Sequence, residues 1–566
     1  MKQNITVENV GKITITDQDY LGSGGEASVY VKDSLAIKIY HDPVHMIALD
    51  KIKELSVIKN PLVLRPKHII YDDKGNPIGY AMDFIKNTHP VCKLFTKAFK
   101  QRSGISNEDI TEFVEQMQQM DMDIHAAKCL IVDHNEMNLL ATLRTKKHPL
   151  TPYAIDVDSY QTPSHKATAI MQSIQDPQIK GNKWTEDSDW FSFAIIAFQL
   201  WIGIHPFKGT HPDYKPSEWL KRMKNGISVF DKDVALPSVC NDFSIIPASH
   251  LAWFKEIFVK NKRCCPPPIG DVGIAISIPT TFNIMAASAA FITDMLGECP
   301  ESILNIFNFM GVPYYICSDK IYKAKMPLPV DISGYDQILI CESSSITPVV
   351  CKRKERKVTF ETEKGIAIGS ITANDMMYRN GCIYTVANEK LIENSFAQFG
   401  EKVLHATKQV GNVLDLATQV FDGVIFQDLL GKIHITLPYE KGKCKIMHIQ
   451  ELDGYRIIDA RSERNIVGVM TEKSGSYHRF VFSFSSDFST YKLRISNDVQ
   501  YADINLTVLP TGIAVLATDT EVEIFKGDGV KVITSPPFNS ATKVFNVSGG
   551  VCYIDGKKVY TAKMKK

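Results

Sequence analysis

The chain has 566 residues, a formal net charge of +1, 22% charged residues and 44% hydrophobic ones. At about 150 residues per domain this length predicts three or four compact units, or two large ones. The near-neutral balance gives no electrostatic reason to expect nucleic acid or a membrane surface as a partner. The twelve cysteines are scattered without a Cys-x-x-Cys pair, which supports neither a zinc ribbon nor a disulfide framework and fits free thiols in a reducing cytoplasm. Residues 1–6 lack the apolar core of a secretory signal, so no export is expected. Of two apolar stretches, 191–204 is too short to span a bilayer, and 269–296 is interrupted by Asp271, Pro279, Asn283 and Asp294.

Residues 11–40 alternate as a β-meander around Leu21-Gly-Ser-Gly-Gly-Glu. Gly22, Gly24 and Gly25 present backbone without Cβ obstruction, so their N–H groups can close over phosphate oxygens; a plain hairpin is the alternative. Lys38 lies nine residues after Val29 in an otherwise apolar strand. A lysine there calls for an anion such as nucleotide phosphate, unless it snorkels from an edge strand. Residues 46–58 carry Ile47, Leu49, Ile52, Leu55 and Ile58 at helical spacing, which puts Glu54 on a helix. Two strands, 69–71 and 79–85, flank the turn Lys74-Gly75-Asn76-Pro77. Ser106 and Asp109 form an N-cap pair for a helix whose stripe of Ile110, Phe113, Val114, Met117 and Met120 reads as core.

That helix leads into Ile131-Val-Asp-His-Asn-Glu-Met-Asn-Leu-Leu140, where Asp133 and Asn138 stand five residues apart before a strand. The plain reading is a polar loop. The chemical one is a phosphotransfer loop, in which the carboxylate takes the acceptor's proton and the amide binds a nucleotide-borne Mg²⁺. The strand at 152–160 ends in Asp156-Val-Asp158, and carboxylates at a strand terminus suit Mg²⁺ beside phosphates. Asp156 is the expected metal ligand, and Asp158 is a second ligand or a loop cap. Residues 184–209 predict a capped helix, apolar nearly all round and therefore central.

In this order the glycine-rich stretch, Lys38, Asp133, Asn138, Asp156 and Asp189 resemble the protein-kinase family over residues 10–270. Asp-x-Asp-Ser-Tyr in place of Asp-Phe-Gly, and the Asp-x-Asn-Glu-x-Asn loop, are similar to versions in some bacterial and bacteriophage-type kinases. The resemblance implies a bilobal domain over 1–270, with an N-lobe at about 10–86 and a C-lobe at about 87–270, that uses ATP and Mg²⁺. It implies that Gly22, Ser23, Gly24, Gly25 and Val29 cover the phosphates while Lys38, paired with Glu54, holds them. Met82, Asp83 and Phe84 would meet the adenine edge, Asp133 would act as base, and Asn138, Asp156 and Asp158 would surround the metal. Asp189 would accept backbone N–H bonds. The chain departs from the pattern at Ala27 for a third glycine, Val132 where an arginine precedes the base, and Asn135 for the loop lysine. No Ala-Pro-Glu occurs between Ser159 and Lys183, and Arg263 falls near the expected end of the domain.

After 264–270 we expect a linker or helical segment at 271–310, with helical signal from 286 to 309, and an all-β domain at 311–566. Strand centres recur about every 40 residues from 383 onward, the period of a four-stranded propeller blade. A propeller of five to seven blades is expected, with a pair of β-sandwiches as the alternative. Residues 550–560 resemble 312–322, so the first and last β segments should hold equivalent or shared positions. The basic run at 353–357 reads as a solvated hairpin tip. The sequence as a whole predicts a multidomain α+β protein. Its expected function is a cytoplasmic Mg-dependent serine/threonine-protein kinase whose β domain docks a protein partner or substrate. The alternatives are a pseudokinase scaffold and a small-molecule kinase.

Overall fold

The computed structural model describes residues 2–565 except 25, 146–147, 168–169, 271–282, 285–289, 343–346, 474, 500–501, 528 and 548. The protein is of mixed α and β structure and divides into two units. One comprises Met1–Ala286 with Glu472–Tyr477 and Asp498–Ala502, and the other the remainder to Lys566. No helix among the described residues is long and apolar enough to cross a membrane.

In the first unit, strands β1 (Lys2–Val7), β2 (Gly11–Thr16), β3 (Tyr20–Ser23), β4 (Ala27–Lys32), β5 (Leu35–Tyr40), β6 (His68–Tyr71) and β7 (Pro77–Asp83) form one antiparallel sheet in the order β2-β1-β6-β7-β5-β4-β3. Strand β1 was not expected. Its Ile5 and Val7 alternate with polar residues and face the core, and Ile5 pairs with Ile13. Helix α1 (Leu49–Leu55) is shorter than its apolar pattern and buries Lys51, Ile52 and Leu55.

Helix α2 (Lys97–Arg102) precedes α3 (Asn107–Ala126), which opens with the expected reciprocal cap: Asp109 N donates to Ser106 Oγ at 3.1 Å, and Ser106 N to Asp109 Oδ2 at 2.9 Å. Strands β8 (Thr88–Pro90), β9 (Leu139–Thr142) and β10 (Thr151–Ala154) form a small antiparallel sheet. Helix α4 (Glu186–Ile202) is buried on nearly every side and ends at Gly203, whose φ of +89° fits the left-handed turn a Cβ would disfavour. Helices α5 (Trp219–Lys224) and α6 (Ala248–Phe258) follow, and Phe198 of α4 meets Phe254 of α6 edge-on at 5.4 Å. Each phenylalanine fully buried in this way contributes about 1.5–3 kcal/mol.

Among the described residues the second unit is all β, with seven four-stranded antiparallel sheets. Six use consecutive strands. The seventh takes Val544–Val547, Gly550–Asp555 and Lys558–Met564 and is completed by Phe291–Glu298. The first strands of successive sheets lie side by side, from Gln337–Cys341 through Asp375–Arg379, Thr418–Phe421, Arg456–Glu463 and Asn505–Val508 to Val544–Val547.

The expected helical segment is corrected here, because Phe291–Glu298 and Asn305–Phe309 are strands, so β structure begins before residue 311; residues 286–289 lie outside the described ones. Pairing of Phe291–Glu298 with Lys558–Met564 decides its conformation, and no local pattern carries that signal. The resemblance between 312–322 and 550–560 has a structural counterpart, since both supply the second and third strands of their sheets. The basic run forms a hairpin tip in which Lys354 pairs with Lys357.

Candidate functional site

Lys38 sits within β5, between Val29 of β4 and Tyr80 of β7. Its Nζ donates to Asp158 Oδ2 at 2.8 Å and to Asp156 Oδ1 at 3.2 Å. The two carboxylates differ in surroundings, the Asp156 side chain being 55% exposed and that of Asp158 10%. Tyr40 Oη donates to Asp158 Oδ2 at 2.9 Å, and Lys51 Nζ to the Asp158 carbonyl at 2.6 Å. Burial disfavours the Asp158 carboxylate, but Lys38 and the tyrosine hydroxyls outweigh it and hold its pKa below the ordinary range. Burial likewise opposes the Lys38 ammonium, and the charges of Asp158 and then Asp156 raise it nonetheless. For Lys51 burial wins: it lowers the pKa although the charge of Asp158 works to raise it.

Strand pairing brings the Asp133–Asn138 loop to the same place. Leu139 of β9 pairs with Ala154 of β10, so the residues just outside the pair also meet, and Ile155 N donates to Asn138 O at 2.9 Å. Asp156 follows in the left-handed region at φ 58°. Asn138 Nδ2 donates to Asp133 O at 3.0 Å and to Asp133 Oδ2 at 3.3 Å, and Met171 N donates to Asp133 Oδ1 at 2.9 Å. Asn135, where the kinase pattern has lysine, turns inward to cap the loop, accepting from Met137 N at 2.8 Å and Asn138 N at 3.1 Å.

Val132 has φ 62°, a strained conformation for a β-branched residue. Asp189, 1% exposed, holds it there, accepting from Ile131 N at 2.8 Å, Val132 N at 2.9 Å and His125 Nε2 at 3.0 Å. Burial works against the His125 cation, and the hydrogen bond and charge of Asp189 raise its pKa all the same.

Several expected residues stand elsewhere. Glu54 does not pair with Lys38: it accepts from Ser164 N at 3.3 Å and lies 3.5 Å from His165 Nδ1, and the Thr162 hydroxyl followed by Ser164 lowers its pKa to about 2. Asp158 is not the cap of its turn, a place that Asp156 occupies; its Oδ2 accepts from Lys38 and Tyr40, and its buried Oδ1 has no hydrogen-bond partner among the described residues. At the expected adenine edge Met82 pairs with Ala36, Asp83 bonds Lys67, and the Phe84 N–H is taken by Ser34 O at 3.0 Å.

Gly22 and Ser23 pair with Val29 and Ser28 across the β3–β4 hairpin, and Gly24 N closes its turn on Ala27 O at 2.9 Å; Gly25 lies outside the described residues. His205 is structural, bonded to Ser173 O at 2.9 Å, and burial then Lys208 lowers its pKa to about 3.

Lys51 and the Asp176–Arg263 pair were missed. Arg263 binds Asp176 through Nε and Nη2, both at 2.7 Å. A lysine three residues before Glu54 on a short apolar helix was the available signal for Lys51.

Hard oxygen donors for a Mg²⁺ ion are present: the exposed Asp156 carboxylate and Asn138 Oδ1, which accepts no hydrogen bond among the described residues. Comparison of the chain with protein-family models and with curated proteins returns no match.

Proposed function

We propose that the first unit is a protein-kinase-like phosphotransferase that moves the γ-phosphoryl group of ATP to a serine or threonine hydroxyl. The reading rests on one convergence: Lys38 meets Asp156 from 118 residues away, and the Asp133–Asn138 loop is bonded to the residue before Asp156. Lys38 orients the phosphates, and the β3–β4 hairpin covers them. Asp156 and Asn138 would hold Mg²⁺, which would supply neutralising charge to the phosphate oxygens. Asp133 accepts the proton of the acceptor hydroxyl as its oxygen bonds the γ-phosphorus and the bond to the β–γ bridging oxygen breaks, leaving ADP. Val132 in place of arginine removes the usual grip for a phosphorylated activation segment.

We read the second unit as a seven-bladed β-propeller that docks a protein partner or substrate, which fits its lack of any catalytic constellation among the described residues. A second reading, a nucleotide-binding scaffold without turnover, is favoured by the Met171 N–H on Asp133 Oδ1, which occupies part of the base. Incubation of the full chain with γ-labelled ATP, Mg²⁺ and a generic protein acceptor, alongside nucleotide titration, separates the two. Label on serine or threonine supports the kinase, binding without transfer supports the scaffold, and no nucleotide binding removes both.

A further inference from the structure

Lys38 is held by a carboxylate, but not one from the helix that the family resemblance points to. Glu54 of α1 is engaged by Ser164 and His165, while Asp158, two residues past Asp156, lies 2.8 Å from Lys38 Nζ with its side chain 10% exposed. Tyr40 donates to the same Oδ2, and Lys51 of α1 fixes the Asp158 carbonyl. We propose that Asp158 is the positioning residue for Lys38, and that α1 reaches the site through Lys51 and the Asp158 backbone rather than through a glutamate. The inference rests on the kinase reading above.

A lysine is a point charge on a flexible four-carbon stem, so its reach toward a phosphate is set by whatever else holds it. Asp156 is solvent-facing and is the residue offered to a metal. A Lys38 steadied only by Asp156 would lose its anchor when that carboxylate turned to a cation. Asp158, enclosed and doubly hydrogen-bonded, keeps the ammonium in place through the exchange. The same turn therefore supplies two carboxylates with divided tasks, the exposed one for metal and the buried one for lysine.

The test is a double-mutant cycle read by titrating the full chain with a fluorescent ATP analogue and Mg²⁺. Asp158→Asn should weaken binding about tenfold, within the range of coupling between residues in contact. The Lys38→Met/Asp158→Asn double variant should bind no more weakly than Lys38→Met alone, because Asp158 acts only through Lys38. A merely structural role would instead give additive losses, which would overturn the proposal. In turnover assays Asp158→Asn should raise KM for ATP with kcat at saturation close to wild type.

If Asp158→Asn does not fold, Tyr40→Phe decides, since it loosens the same carboxylate. It should weaken binding in the presence of Lys38 and have no effect in Lys38→Met, and equal losses in both backgrounds overturn the proposal. Loss of binding in Glu54→Gln equal to that in Asp158→Asn overturns it too. Weak binding by Lys38→Met with wild-type binding by Asp158→Asn sinks this inference alone, whereas wild-type binding by Lys38→Met sinks the kinase reading and the inference with it.

Discussion

The candidate site residues in the first unit depend on a few polar contacts across long stretches of chain, 118 and 120 residues for Lys38 with Asp156 and Asp158 and 57 and 58 for Asp189 with Val132 and Ile131. The second unit repeats one device seven times, an antiparallel meander whose apolar face packs on its neighbour, as Val424, Phe426 and Ile435 pack with Val467, Val469 and Phe480. A buried polar contact cannot be thinned gradually, because removing one partner leaves the other unpaired and desolvated. A repeated apolar interface loses methyl groups one at a time. The candidate site in the first unit thus rests on single contacts, and the second unit on a repeated interface. All five tryptophans lie within residues 1–286, so tryptophan fluorescence excited at the red edge, where tyrosine does not absorb, reports on the first unit.

The sharpest break is chemical. Asp133→Asn should lower phosphate transfer by roughly 10²–10⁴ while leaving nucleotide affinity nearly intact, since a base acts only at the chemical step. Weakened ATP binding with unchanged transfer would show that the loop has another role. Next in size, Asp189→Ala orphans the Ile131 and Val132 N–H groups and should cost about 3–5 kcal/mol, read as a lower urea midpoint by tryptophan fluorescence. An unchanged midpoint would mean that the loop does not need this anchor.

Acid should act on the first unit as well. Burial holds His250 at about 4, burial then Lys93 holds His89 at about 4, and burial then Lys208 holds His205 at about 3, against an ordinary 6.5. These groups are neutral when folded and protonated when unfolded, so the stability they give is present above 6.5 and lost as pH falls toward 4 and 3. His125 and His134 are raised despite burial, by Asp189 and Asp121, and what they contribute is present below 6.5 and lost as pH rises through their folded values. The fluorescence midpoint should therefore peak near 6.5, and a flat profile on both sides would contradict it.

The smallest effect belongs to the repeats. Ile435→Val, at a site with no exposure, should cost about 0.5–1.5 kcal/mol by circular dichroism and leave phosphate transfer untouched. A loss of transfer would show that the β unit does more than present a surface.

What was legible in the sequence follows the same division. Short-range signals read well: the Ser106–Asp109 cap, the all-round apolar α4 and the hairpin at 353–357 each depend on neighbours or on one strong pattern, whereas the long-range role of Asp189 was legible only through the family resemblance. Choices among similar residues did not. Lys51 and Glu54 stand three apart on one helix, where periodicity cannot decide which of them turns to the site. Asp156 and Asp158 are chemically alike, and only the depth at which β5 delivers Lys38 gives one to solvent and the other to the lysine. The segment 291–309 was misread because its first strand takes its identity from a partner far along the chain.

That partnership has a consequence for synthesis. Asp294 and Lys563 are 269 residues apart, and the strand between Phe291 and Glu298 has nothing to pair with until the other has been made. At roughly 5–20 residues per second, a ribosome leaves it waiting for about 15–50 s. Meanwhile Ile292, Met295 and Leu296 travel on an open strand edge that invites pairing with other chains. Six sheets can close as they emerge, and the seventh only after all six, so a slow patch of codons before Lys558 would prolong the interval in which nascent chains aggregate or recruit a chaperone.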